Sequence, residues 1–396
     1  MLLKADTFSR LLRPATYVPP PYFQTQVTTP PLAVQVRSTV LGAGLLGRLL
    51  AHELVSLGHH VDIYDKGGPE GTESAARAAA AMLAPLAESV ITEPSVVRMG
   101  HYGLTRWPQI IQTLNQPVFF QQNGTLILWH RQDAHEAKRF SSALHRNHAL
   151  MRYLGAPEEL TSAGLQALEP GLQGNFQQGI YLPGEGQLDN RQLLAALHST
   201  LVQRGVNFHW NTPKSLEDFG TLDSLGSSDS DNWLFDCRGL GAKPSWTGIR
   251  GVRGEVIRLY APEVTLSRPM RLIHPRYPLY IAPKEDHVFV IGATEIESED
   301  LSNASVRSTL ELLSAAYTVH SGFAEARILE ISTQARPTLQ DNLPAIQQLG
   351  PKTLQINGLY RHGFLISPAV VDAALDFVRT ASHDKADAFG VSFTKP

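Results

Sequence analysis

Read for apolar and polar spacing, the chain first shows a regular element at Val34–Leu41, VQVRSTVL, a short β-branched run that stops at glycines and predicts a strand. Leu45–Leu57 then carries apolar residues on nearly every face, with only Arg48, His52 and Glu53 polar in its middle. That distribution predicts a helix buried against a sheet rather than one lying on a surface. His60–Asp65, HVDIYD, predicts a second strand. Two strands joined through a helix within about thirty residues form a β-α-β unit, which requires a parallel sheet.

Downstream the pattern changes. Thr125–His130, Gly254–Tyr260, Leu279–Pro283 and His287–Gly292 are strand-like runs rich in aromatic and β-branched residues, the last two joined by the polar turn Lys284-Glu285-Asp286. Short polar turns between such runs predict an antiparallel sheet. Between them comes a second passage of the first kind: a helix at Asn190–Arg204, a strand at Val206–Trp210, and Trp233–Asp236 running into Arg238-Gly239-Leu240-Gly241. Asp223–Asn232 is a polar loop, and no internal repeat is present. The expected fold class is therefore α/β, α+β overall, with a Rossmann-like dinucleotide-binding domain interleaved with a second domain on an antiparallel β-sheet. The expected division assigns residues 35–92, 186–250 and 326–396 to the first domain and 93–185 and 251–325 to the second. Val18–Val34, VPPPYFQTQVTTPPLAV, is too rich in proline for a helix or central strand, and residues 1–34 are expected to form a disordered or extended arm.

Composition narrows the function. The chain has 396 residues, 43% hydrophobic, and a formal net charge of −3 with acids and bases interspersed. That balance supplies no electrostatic footprint for nucleic acid or an anionic membrane, so a small-molecule ligand is expected. No apolar run approaches the ~18 residues of a spanning helix. Cys237 is the single cysteine, which excludes an intramolecular disulfide and a thiolate metal cage and fits a cytoplasmic location. His145 with His148, and His59 with His60, lack a carboxylate or cysteine at ligand spacing, so no metal is expected.

Gly42-Ala43-Gly44-Leu45-Leu46-Gly47 is a G-x-G-x-x-G fingerprint placed between strand and helix. Gly42 permits the turn, Gly44 lets a pyrophosphate approach the backbone, and Gly47 lets the helix pack on the strand. The helix N-terminus at Leu45 and Leu46 favours the phosphate charge. Asp65 ends the second strand, 23 positions after Gly42 (65 − 42), where an acid accepts from a ribose hydroxyl. No second complete fingerprint appears; Gly239-Leu240-Gly241 lacks the third glycine. Ser74–Ala84 is almost entirely small side chains. It is either a bed for a large planar ring system, with Ser74 donating to a phosphate, or an alanine-rich buried helix.

These stretches, together with YLPGEGQLDNRQLLAAL at Tyr181–Leu197, GVRGEVIRL at Gly251–Leu259, FVIGATEIES at Phe289–Ser298, ARPTLQDNLPAI at Ala335–Ile346 and YRHGFLISPA at Tyr360–Ala369, resemble the D-amino acid oxidase family of FAD enzymes, in particular its glycine oxidases of thiamine biosynthesis. The resemblance runs from about Val34 to Arg379 in one shared order. It implies noncovalent FAD on Gly42, Gly44, Leu45, Leu46, Gly47, Asp65, Ser74, Ala81 and Met82, with Val206 on the adenine side and Gly239 close by. Arg336 would grip a substrate carboxylate through two parallel charged hydrogen bonds, as a guanidinium fork is shaped to do. Tyr280 would supplement that grip.

The same resemblance gives a reading of GLYRHGFLISP, Gly358–Pro368, a polar interruption between a strand at Thr353–Tyr360 and a helix at Pro368–Val378. The helix would aim its N-terminal dipole at the cofactor, Arg361 would close the pocket over the substrate, and His362 and Gly363, followed by Phe364 and Leu365, would give backbone donors to the flavin. The implied reaction is oxidation of glycine or another small amino acid to its imine, with dioxygen as acceptor and hydrogen peroxide as product. A D-amino acid or sarcosine dehydrogenase or oxidase, and a non-catalytic flavin-binding partner protein, are the alternatives; a homo-oligomer is an open expectation. Two departures from the family pattern stand out: Ala80-Ala81-Met82 replaces a segment usually carrying glycine, and Glu295 follows Gly292-Ala293-Thr294. Glu295, if it faced the pocket, would attract a substrate ammonium and favour very small amino acids, but a strand-end glutamate is expected to point to water.

Overall fold

The computed structural model describes residues 36–172, 174–220, 232–273 and 279–395. The expected arm of residues 1–34 and nearly all of the polar loop 223–232 lie outside them. The β-α-β unit is present as strand Arg37–Leu41, helix Leu45–Ser56 and strand His60–Tyr64, with the two strands parallel and in register from Arg37 opposite His60 to Leu41 opposite Tyr64. A seven-stranded sheet grows from it in the order Ser392–Thr394, Ala345–Gly350, Thr353–Asn357, Trp233–Asp236, Arg37–Leu41, His60–Tyr64 and Asn207–His209. Only the pair Ala345–Gly350 with Thr353–Asn357 is antiparallel. Leu49, Leu50 and Leu54 of the fingerprint helix are fully buried, against helices Asn190–Gln203 and Gly363–Thr380.

The second sheet has eight strands, in the order Arg327–Thr338, Arg250–Tyr260, Val288–Gly292, Leu279–Pro283, Met270–Leu272, Thr125–Leu128, Gln178–Leu182 and Glu158–Thr161. Its pairs are antiparallel except Met270–Leu272 with Thr125–Leu128. Period-two alternation sorts its faces. Leu279, Ile281, Phe289 and Ile291 pack with Leu312 and Ala316 of helix Val306–Val319. Val256, Ala282 and Val290 point the other way, toward Ala80 and Met82 of the small-residue segment. This second face fronts the site.

Two expectations about the division of the chain change. Strand Arg327–Thr338 lies in the segment 326–396 assigned to the dinucleotide domain, yet it pairs along Arg250–Tyr260 in the antiparallel sheet. Helix Pro94–Ile111, from the segment 93–185, packs on helix Gly363–Thr380 beside the parallel sheet. A chain that shuttles between two sheets must cross at exposed turns, and composition does not mark which turn is a crossing. Among the described residues no helix is long and apolar enough to cross a membrane.

The C-terminal helix also begins earlier than its sequence suggests, at Gly363 rather than Pro368. Proline reads as a first-turn residue because it lacks an N–H, and inside a helix it deprives the carbonyl four residues back of its donor. Here that carbonyl belongs to Phe364, and the indole Nε1 of the fully buried Trp107 donates to it at 2.7 Å. A side chain from a neighbouring helix replaces the missing backbone bond.

Candidate active site

The fingerprint loop closes tightly. Gly42 sits at φ +96° and a side chain there would meet the Cys237 carbonyl at 2.7 Å, so only glycine fits. The loop is braced by Arg48, a buried residue whose guanidinium donates to the carbonyls of Ala43 (2.7 Å), Leu194 (2.8 Å) and Pro69 (2.7 Å). Burial pushes its pKa down to about 10, still far above neutrality. Sequence reasoning passed over Arg48 as a polar residue in an apolar helix. A buried arginine in that position is itself the missed signal.

Asp65 accepts from the N–H groups of Ala43 (2.6 Å) and Gly67 (2.8 Å), which fixes its carboxylate at the rim of the loop. A carboxylate has about four acceptor directions, so capacity for a hydroxyl remains. Ser74 caps a single helical turn, Ala75–Ala78. Beyond it the small-residue segment leaves the helix: Ala79 is extended, Ala81 sits at φ +52°, and Met82–Leu83 pairs with Gly186 and Gln187. The alternative of a long alanine-rich helix is therefore set aside. Lys284, reaching across from the antiparallel sheet, holds the segment from behind: its buried ammonium donates to the carbonyls of Ala80 (2.9 Å) and Leu188 (2.7 Å) and to Gln187 (3.0 Å). Burial lowers its pKa to about 7.

Between these elements runs a cavity of about 520 Å³. Gly42, Gly44, Leu45, Leu46, Asp65, Ser74, Gly239 and Cys237 line one end; Ala81, Met82, Gly363, Phe364 and Leu365 line its middle; Tyr280, Arg336, Arg361 and His362 line the other end. Two expected residues are not in the wall. Gly47 lies behind it, where a side chain would meet the Gly42 carbonyl at 1.8 Å, in keeping with a packing role. Val206 is buried in the core with its N–H committed to the Leu201 carbonyl, and the wall is formed instead by Pro213 and Lys214. Ligands meet parallel sheets at the carboxyl ends of strands, and Val206 precedes its strand.

His362 also changes role. Its N–H is used by the Leu359 carbonyl (3.0 Å), so the donors available at the helix start are those of Gly363, Phe364 and Leu365. Its ring is buried with Nδ1 3.6 Å from Glu88, and burial pushes the imidazole down to about 4, keeping it neutral at pH 7.

The far end of the cavity is built by strand register. Arg271 stands opposite Tyr280, and Tyr280 opposite Gly292, across three adjacent strands. Arg336 stands opposite Val252, so Gly254 shares its face two residues along, and a side chain at 254 would lie 2.4 Å from the guanidinium. Among the described residues the Arg336 guanidinium donates only to carbonyls, of Arg253 (3.3 Å) and Thr294 (3.1 Å). Among the described residues no carboxylate lies within 4.0 Å of it, and burial lowers its pKa without threatening its charge. Burial, the larger influence, raises the Tyr280 hydroxyl's pKa and keeps it protonated.

Arg361 is different: it reaches Glu88 with one nitrogen and Glu295 with another, at 3.2 Å. Burial alone would raise the Glu88 carboxyl, but the charges of Arg361 and Arg271 outweigh it and hold Glu88 well below the usual range. Glu295 is exposed, as expected of a strand-end glutamate, but it also accepts from the Tyr360 hydroxyl and lines the cavity. Glu88, Arg271 and Glu295 carry no local motif. Glu88 is the lone acid ending the small-residue run, the one trace of it in the sequence.

The donors and shape suit a dinucleotide with a flavin: a helix N-terminus and glycine turn at one end, small side chains along the middle, and the first turn of a second helix beyond. The family model for FAD dependent oxidoreductases, DAO, matches residues 37–374. The protein of Rhizobium etli named "Putative thiamine biosynthesis oxidoreductase ThiO" is 38% identical over 85% of this chain and 94% of its own length. The glycine oxidase of Geobacillus kaustophilus is 24% identical over 83% of this chain and 89% of its own. Its crystal structure aligns over 87% of this chain and 95% of that one, at 22% identity and a TM-score of 0.73, a likeness in fold. With its fingerprint, its cavity and these matches in agreement, the chain belongs to the DAO family of FAD-dependent oxidoreductases.

Proposed function

We propose that the enzyme oxidises a small amino acid, glycine above all, to its imine, passing the electrons to dioxygen and releasing hydrogen peroxide. The observation that carries this reading is the Arg336 guanidinium, half-buried in the cavity wall with, among the described residues, no carboxylate within 4.0 Å of it. A charge partly withdrawn from water without an ion partner is costly and is tolerated where a ligand completes it. At this end of the cavity three arginines, Arg271, Arg336 and Arg361, face two glutamates, Glu88 and Glu295, which leaves one positive charge (3 − 2) for one carboxylate. Cavities of roughly 300–1,000 Å³ are typical of small-molecule sites.

The names of the relatives in Rhizobium and Geobacillus support glycine as substrate and a supply of imine to thiamine biosynthesis. FAD, when bound, supplies the two-electron acceptor for the C–H bond beside the amine. The chain's own contribution is placement. Arg336 and the protonated Tyr280 hydroxyl fix the carboxylate, and Arg361, tied to Glu88 and Glu295, bounds the space above it. Glu88 is ionised but occupied by two arginines, and His362 is neutral with too little basicity to hold a proton near pH 7. The substrate ammonium therefore sheds its proton to solvent, and the oxidation depends on orientation rather than on a general base. The parallel sheet would carry the cofactor and the antiparallel sheet the substrate.

The test is anaerobic bleaching of the flavin band near about 450 nm with glycine, sarcosine, D-alanine or D-proline, followed by a peroxide assay under air. Arg336→Leu should abolish saturation by substrate while keeping the yellow cofactor. No bleaching with any of the four, or full catalytic efficiency in Arg336→Leu, would refute the assignment; the first result would favour a non-catalytic flavin protein.

A further inference from the structure

A second cavity, of about 410 Å³, lies on the other side of the Arg361 turn. It is lined mainly by polar groups, including Thr92, Glu93, Asp341 and Asn342, and it shares Glu295, Tyr360, Arg361 and His362 with the first cavity. The two spaces are therefore separated by one layer of side chains, and Glu295 joins that layer together. It accepts from the Tyr360 hydroxyl and from Arg361, whose other arm is held by the buried Glu88. Tyr360 itself sits at φ +50°, two residues after Gly358 at φ +83°. A bulky residue seldom takes the left-handed conformation unless its surroundings hold it there. Its hydroxyl is bonded to Glu295, and its ring lies edge-on to His362.

The wall stands next to the substrate anchor. Arg336 donates to the carbonyl of Thr294, the residue immediately before Glu295. A carboxylate gripped by Arg336 brings its α-carbon, and anything attached to it, up to this layer.

Resting on the amino acid oxidase reading above, we propose that Glu295 is a specificity-determining residue: by pinning Tyr360 and Arg361 between the two cavities it limits the substrate to amino acids with little or no side chain. The outer cavity is then unused volume that a bulkier side chain would fill once the layer is loosened. Glu295 touches the wall rather than the reacting atoms, so its loss should alter selectivity between substrates more than turnover of any one.

The experiment compares FAD-loaded wild type with Glu295→Ala, Glu295→Gln and Tyr360→Phe. Two ratios are measured: kcat/KM for leucine, both enantiomers, relative to glycine; and the affinity for benzoate relative to acetate, read from the shift in flavin absorbance on titration. Glu295→Ala should raise both ratios at least tenfold, and Tyr360→Phe, which removes only a hydroxyl, should move them in the same direction. Glu295→Gln retains an acceptor for Tyr360 and should move them less. Ratios within twofold of wild type in Glu295→Ala and Tyr360→Phe, with glycine still oxidised, would overturn this inference alone. A wild-type enzyme that oxidises none of the amino acids would overturn the functional reading beneath it.

Discussion

Gly254→Ala places one methyl group against the substrate anchor. The added carbon would lie 2.4 Å from the nearer terminal nitrogen of Arg336, 2.5 Å from its central carbon and 2.7 Å from the other nitrogen. Nonbonded heavy atoms rest at about 3.5 Å or more, so the guanidinium must recede by roughly 1 Å. Its bonds to the Arg253 and Thr294 carbonyls, at 3.3 and 3.1 Å, fix its present position and would stretch beyond use. A displacement of ~1 Å in a positioning group lowers catalytic efficiency about 10²-fold, or roughly 2.7 kcal/mol. The loss should fall mainly on KM for glycine, with flavin content unchanged because the three atoms nearest the added methyl all belong to Arg336. The assay is a double-mutant cycle of peroxide production by wild type, Gly254→Ala, Arg336→Leu and the double variant. In the Arg336→Leu background the methyl group has no guanidinium to displace and should do little. A loss below threefold in the wild-type background, or the same 10²-fold loss in both backgrounds, would refute the reasoning.

Trp107→Phe should destabilise the fold by about 1–3 kcal/mol, because it leaves the Phe364 carbonyl buried without a donor that Pro368 cannot supply; a denaturant midpoint equal to wild type would contradict this. Glu185 is buried, and burial pushes its carboxyl up to about 7 from 4.5. A raised carboxyl pKa stabilises the fold fully below pH 4.5, and that contribution, ~3 kcal/mol, is lost as pH rises through about 7. Glu185→Gln, neutral at every pH, should therefore gain in melting temperature relative to wild type at pH 8 but not at pH 4.5, and a difference that does not vary with pH would refute it.

What was legible in the sequence was local. The fingerprint, Asp65 and the small-residue run are contiguous signals, each tied to one turn or one strand, and they come together around one cavity. Arg336 and Tyr280 were reached through a family pattern, not through spacing, because their neighbourhood is made by strand register across residues 252–336. Glu88, Arg271 and Glu295 were invisible as a group: Arg271 meets Glu88 across 183 positions, a pairing no local pattern encodes. Val206 and Pro368 misled for opposite reasons. The first marks the wrong end of its strand. The second imitates a helix start because nothing nearby in sequence announces that Trp107 will supply its missing bond.

Lys284 gives the assembly a further property. One ammonium from the antiparallel sheet binds three oxygens on the segments that back the cofactor bed, and it does so out of reach of solvent. Such a rivet couples the small-residue segment, and the strand Gly186–Leu188 paired with it, to the antiparallel sheet, so that a shift of either is felt by the other.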